Sequence, residues 1–136
     1  MVDIDRETFV RRFTTLILQG KGFPQKQQDV HVLLKSATLR LQADQNYTEK
    51  EVNAELQVWV MQFGIDLNNL NYVTLRRYLV DHGYLSRDTS GSEYRLLMTD
   101  LPFSFSSEID ELDLLEELAQ EKQARALRKA QFEKKS

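Results

Sequence analysis

Between Tyr47 and Leu96 the spacing of apolar residues changes, and each change marks an element. Val52, Leu56, Trp59, Val60 and Phe63 recur at helical intervals, which stacks them on one helix face. Thr48 followed by Glu51 predicts where that helix starts: the hydroxyl accepts the backbone N–H three residues on, and the carboxylate reaches back to the Thr48 N–H. Gly64 and the run Asp66-Leu67-Asn68-Asn69 end it. A second stripe, Tyr72, Leu75 and Leu79, predicts a helix over residues 70–82, closed at Gly83. The period then shortens. Tyr84-Leu85-Ser86-Arg87 and Glu93-Tyr94-Arg95-Leu96 read as two short strands joined by a turn through Asp88 to Gly91. The expected fold is α+β, mainly helical with a small β-hairpin, in the order of a winged helix-turn-helix; Tyr47 is placed to add a short third strand.

The flanks read as support. Phe9, Phe13, Leu16 and Ile17 predict an amphipathic helix over residues 3–19, capped by Asp3 or Asp5 and ended by Gly20-Lys21-Gly22. Its other face carries Arg6, Glu7, Arg11 and Arg12, either a solvated surface or, for Arg11 and Arg12, part of a nucleic-acid surface. Pro24 suits the first turn of the next helix, whose core face is Val30, Leu33, Leu34, Ala37 and Leu41. His31, beside that stripe, reads as a surface or boundary residue. After the hairpin, Leu101-Pro102-Phe103-Ser104-Phe105-Ser106 is a connector anchored by its phenylalanines. Ser106 or Ser107 then caps a long helix ending near Phe132, with Ile109, Leu112, Leu115 and Ala119 as its stripe and Leu114 and Leu118 beside it. The expected divisions are an N-terminal helix over 1–22, a winged-helix domain over 23–99, and a connector with a charged C-terminal helix over 100–136.

Three strings also carry a resemblance: Tyr47-Thr48-Glu49-Lys50-Glu51-Val52-Asn53, the run from Thr74 through Leu75-Arg76-Arg77 to Asp88, and Gly91-Ser92-Glu93-Tyr94-Arg95. Over residues 24–97 the chain resembles a bacterial family known only as a domain of unknown function. That family is often joined to a helix-turn-helix domain of the arsenic-repressor type. The resemblance implies a winged-helix fold and a role linked to transcription. In one respect the chain departs from the pattern: Asn71 stands near the place where the family carries an acid before Leu-Arg-Arg.

Composition narrows the function classes. A chain of 136 residues suits one compact domain with appendages. Without cysteine there is no disulfide framework, thiolate zinc site or cysteine nucleophile. No run approaches a membrane span, and the acidic start Met1-Val2-Asp3-Ile4-Asp5 lacks the form of a secretory signal, so a cytoplasmic protein is expected. No phosphate-binding glycine loop, nucleophile elbow or metal-ligand spacing occurs, and neither an enzyme, a cofactor nor a metal site is expected. The net charge is −3, which argues against coating nucleic acid by charge alone.

Charge is informative by segment. Residues 108–121 hold seven acids and no base, and residues 122–135 hold six bases and one acid. Such a helix suits its own dipole and is self-complementary when two copies run antiparallel. In the helix over 70–82, Arg77 points away from the core, Thr74, Val73 and Asp81 share its side, Val80 lies on the margin, and Arg76 falls near the core edge. Asn69, Asn71, Thr74, Arg76 and Arg77, with Arg87 and Arg95 flanking the hairpin, form a candidate DNA-binding set for base and phosphate contacts. Against it, Asp81 is spaced to pair with Arg77, and Arg87 and Arg95 to pair with Asp88 and Glu93. The competing reading is a protein-interaction adaptor that uses Val73, Val80, Leu112 and Leu115. Under either reading the C-terminal helix is expected to bind a protein partner or a second copy of the chain, or else to dock its leucine-rich half on its own domain and fray at the basic end.

Overall fold

The computed structural model describes residues 1–135, apart from the side chains of Asp66 and Lys135. In chain order its elements are β1 (Val2–Ile4), α1 (Arg6–Gln19), α2 (Gln27–Thr38), β2 (Tyr47–Thr48), α3 (Glu49–Phe63), α4 (Tyr72–Asp81), β3 (Leu85–Arg87), β4 (Glu93–Leu96), β5 (Phe103–Phe105) and α5 (Leu114–Lys135). The class is α+β, mostly helical.

The central elements follow local signals. Thr48 Oγ1 accepts the Glu51 N–H at 3.1 Å and the Thr48 N–H donates to Glu51 Oε1 at 3.0 Å, so the capping box opens α3. This helix buries Val52, Leu56, Trp59 and Phe63. After a short 3-10 turn at Gly64–Asp66, Asn68 (φ 61) and Asn69 (φ 55) take left-handed backbone, a conformation asparagine tolerates. Asn71 Oδ1 then accepts the Thr74 N–H at 2.8 Å, which starts α4 at Tyr72 rather than at residue 70. Strands β3 and β4 pair antiparallel with Leu85 opposite Leu96 and Arg87 opposite Tyr94, and β2 joins the other edge of β4, giving the order β2-β4-β3. Tyr47 supplies the third strand as its position predicts.

Long-range pairing overrides the local reading at the flanks. Residues 2–4 are not helical: β1 pairs in parallel with β5, with Val2 beside Phe103 and Ile4 beside Phe105. The segment expected to be only a connector is therefore a strand. Its anchoring role stands, since the Phe105 ring meets Phe9 edge-on at 6.2 Å and Phe103 lies 5.1 Å from the His31 ring. Asp5, not Asp3, caps α1. Pro24 precedes α2 rather than lying in its first turn, and α2 ends at Thr38, short of Leu41.

Two further expectations are corrected by packing. His31 is 2% exposed, because α2 is covered by β5 and by the end of α4 as well as by α1. The C-terminal helix does not begin at Ser106 or Ser107: a 3-10 turn over Ser107–Glu111 leads to an extended Leu112, and α5 starts at Leu114. That break shifts the helical phase. Leu114 and Leu118 become the buried face, while Leu115 is outside and Leu112 only half-buried.

Candidate nucleic-acid interface

The helix α4 lies between α3 and the hairpin, and consecutive arginines on it have different fates. Arg76 turns toward α3. Its Nη1 donates to Asn53 Oδ1 and lies 3.2 Å from Glu49 Oε1, and its guanidinium carbon is 5.7 Å from the centre of the Tyr94 ring. Arg77, one residue on, is exposed and makes no ion pair among the described residues. The i,i+4 pairing with Asp81 is not formed. The helix period explains the split, because the roughly 100° between neighbours sends one side chain along α3 and the next into solvent.

The strand period divides the wing arginines in the same way. Arg87 sits opposite Tyr94, and Ser86 opposite Arg95. Cross-strand partners share a sheet face. Arg87 is therefore on the side of the buried Tyr94, and Arg95 is on the opposite, outer side. Neither forms the cross-hairpin ion pair with Asp88 or Glu93. Asp88 is otherwise engaged: the Glu93 N–H first, then the hydroxyls of Ser90 and Ser92 and the Ser92 N–H, hold its carboxyl below the usual carboxylate range. These bonds tie the turn into a closed loop. Gly91 (φ +75) completes it, and the Arg87 guanidinium lies so close over that glycine that a Cβ there would collide with it.

Arg76, Arg77 and Arg87 come together around a cleft of about 130 Å³ between α4 and the hairpin, walled also by Val73, Val80 and Tyr94. Three cations thus face one small volume, and Glu49 is the only acid bound to any of them among the described residues. Asn69, Asn71 and Thr74 do not join this group. They line a separate shallow groove with Phe23, Asn68 and Leu70 at the other end of α4, where the Asn71 carbonyl is committed to its helix cap. Arg95 stands outside both. Arg12 is also withdrawn from any such surface, since it grips Asp29 with two bonds of 2.9 and 3.0 Å.

Residues 21–96, more than half of the chain, match a family described as an uncharacterized protein conserved in bacteria, DUF2087. The chain belongs to the DUF2087 family. The matched segment runs from just before α2 to the end of β4, so the arginine cleft falls wholly inside the DUF2087 region, while α1 and α5 lie outside it. No curated protein and no solved structure matches the chain.

Sequence reasoning missed Glu49 and Asn53 as the groups that restrain Arg76, and Tyr94 and Gly91 as parts of the cleft. For Tyr94 a signal existed, because the hairpin register places it opposite Arg87. For Glu49 none did, since no local spacing relates α3 to α4. Among the described residues no group of three His, Asp or Glu is arranged to hold a metal, and no helix is long and apolar enough to cross a membrane.

Proposed function

We propose that this DUF2087 protein is a cytoplasmic winged-helix DNA-binding protein acting in transcriptional regulation. The order α2, β2, α3, α4, β3, β4 with the sheet order β2-β4-β3 supports the winged-helix reading, with α4 as the helix that enters the major groove and the β3–β4 hairpin as the wing. The observation that carries the proposal is the convergence of Arg77 and Arg87, both without an acidic partner among the described residues, on one cleft between helix and wing. A helix in the major groove and a wing beside it leave the intervening phosphate ridge over that cleft, where guanidinium groups make charge-assisted bonds to phosphate oxygens. Thr74, Asn69 and Asn71 lie near the start of α4 for contacts further along the groove, and Arg95 on the outer sheet face reaches at most flanking backbone.

A fluorescence-anisotropy titration of genomic fragments tests this. Affinity should fall steeply with salt, and Arg77→Ala and Arg87→Ala should each reduce the salt slope by about one counterion. Binding that is absent, or indifferent to salt, rejects the proposal. One observation favours the adaptor reading instead: Val73 and Val80 line the same cleft, and a major groove rewards such surface only at thymine methyl groups. Capture of a stoichiometric protein partner that Val73→Asp releases, together with no DNA binding, would make the adaptor the better account.

A further inference from the structure

The helix α5 runs for 22 residues, yet only its first half is held by the rest of the chain. Leu114 and Leu118 are buried, Arg6 bonds Glu117 at 2.8 Å, and Arg125 reaches Thr15. From residue 126 to residue 134 every residue is exposed. A bare helical end of that length is marginal in water without a partner. Leu115 is 50% exposed and Leu127 57%, and both lie off the docked face. Turning about 100° per residue, Leu115, Ala119, Ala126 and Ala130 fall within an arc of about 60°, and Leu127 lies about 60° beyond its edge. This outer face runs along most of the helix; the body of the protein half covers it at Leu115, which borders a cavity beside Leu39 and Trp59, and leaves Ala119, Ala126 and Ala130 exposed.

Charge identifies what fits that face. Of charged residues, 108–121 carry only acids, and 122–135 carry six bases with the single acid Glu133. Several pairs are consumed internally: Glu117 by Arg6, and Glu121 by Arg125 and Arg128. Glu116, Lys122, Lys129 and Lys134 make no ion pair among the described residues. A surface whose two ends carry opposite charge is complementary to itself reversed.

We infer that the outer face of α5 binds α5 of a second copy of this chain, antiparallel, about a two-fold axis passing between positions 122 and 123. This register sets Leu115 opposite Ala130 of the second copy and Ala119 opposite its Ala126, and it lays each acidic half along a basic half. The contact is isologous, so it closes at two copies and leaves no free end for a fibre. It stands apart from the DNA reading, and either holds without the other.

Sedimentation equilibrium of the full chain should give twice the 15.9 kDa monomer mass, with the dimer weakening as salt rises. Leu127→Asp and Ala126→Glu, both at exposed positions, should each return the monomer without loss of helix content. Cysteine cross-linking reads the register, because the chain has no cysteine of its own. Gln123→Cys should cross-link to itself. Ala119→Cys and Ala126→Cys should each fail alone and cross-link when mixed. A monomer at every concentration overturns the inference, and so does self-cross-linking of Ala119→Cys that matches the mixture, which would mean parallel helices.

Discussion

The Arg76 guanidinium lies 3.2 Å from the Glu49 carboxylate, and this pairing separates two arginines that sequence treats alike. Arg76 is 18% exposed at its side chain and joins α3, α4 and β4, whereas Arg77 makes no ion pair among the described residues and stands exposed at the cleft. Removing each should therefore have opposite consequences. Arg76→Ala loses the Asn53 and Glu49 bonds and the Tyr94 ring contact, and should cost about 1–2 kcal/mol in urea unfolding. Arg77→Ala should stay within about 0.5 kcal/mol of the parent while weakening DNA binding. Equal stability losses in the two variants would show that the division is wrong.

Gly91 shapes the wing through what it lacks. Its left-handed backbone and its contact with Arg87 mean that Gly91→Ala introduces both strain and a collision. The backbone effect should be about 1 kcal/mol. The guanidinium is the mobile end of a flexible chain and should swing away, so DNA affinity should drop by as much as in Arg87→Ala. A titration in which Gly91→Ala binds like the parent would detach Arg87 from the interface.

The Tyr84 hydroxyl lies 2.6 Å from Nδ1 of His31, and the His82 ring is 5.6 Å away, edge to face. Burial first, and the neighbouring His82 second, push His31 below its ordinary histidine value, and burial pushes the Tyr84 hydroxyl up. Unfolded His31 takes up its proton near 6.5, while the folded protein resists protonation to lower pH. The stability contributed by neutral His31 is therefore complete above the unfolded value and is lost as pH falls through the depressed folded one. Melting temperatures should decline from about pH 7 toward about pH 5, and His31→Gln should flatten that decline. A parent profile as flat as the variant's would remove His31 as the cause.

Trp59 Nε1 donates to Ser36 Oγ at 3.0 Å inside the core, joining α3 to α2. Ser36→Ala leaves the indole N–H buried without an acceptor and should destabilise by about 1–3 kcal/mol. Chemical denaturation followed by tryptophan fluorescence measures this. A loss no larger than that of an exposed serine, such as Ser107→Ala, would mean that the bond contributes little.

Where residues a few positions apart decided the outcome, the sequence was legible. The Thr48–Glu51 capping box, the buried faces of α3 and α4, the hairpin and the third strand at Tyr47 all follow from one turn of helix or one strand pair. The outward direction of Arg77 follows from the same arithmetic. The grouping of the candidate residues did not. Arg76, Arg77 and Arg87 share a cleft, Asn69, Asn71 and Thr74 another groove, and Arg95 neither, because the first division depends on how α4 docks against α3 and the hairpin.

Periodicity and capping are properties of a short window, and they were enough to determine the central helices and strands of this chain. The parallel pairing of Val2 with Phe103, the burial of His31, the capture of Arg76 by Glu49 and the rotation of α5 onto Leu114 and Leu118 were settled only by tertiary structure. In each case the partner lies on another element, many residues away, and the burial and charge that select the contact exist only once the two elements have met.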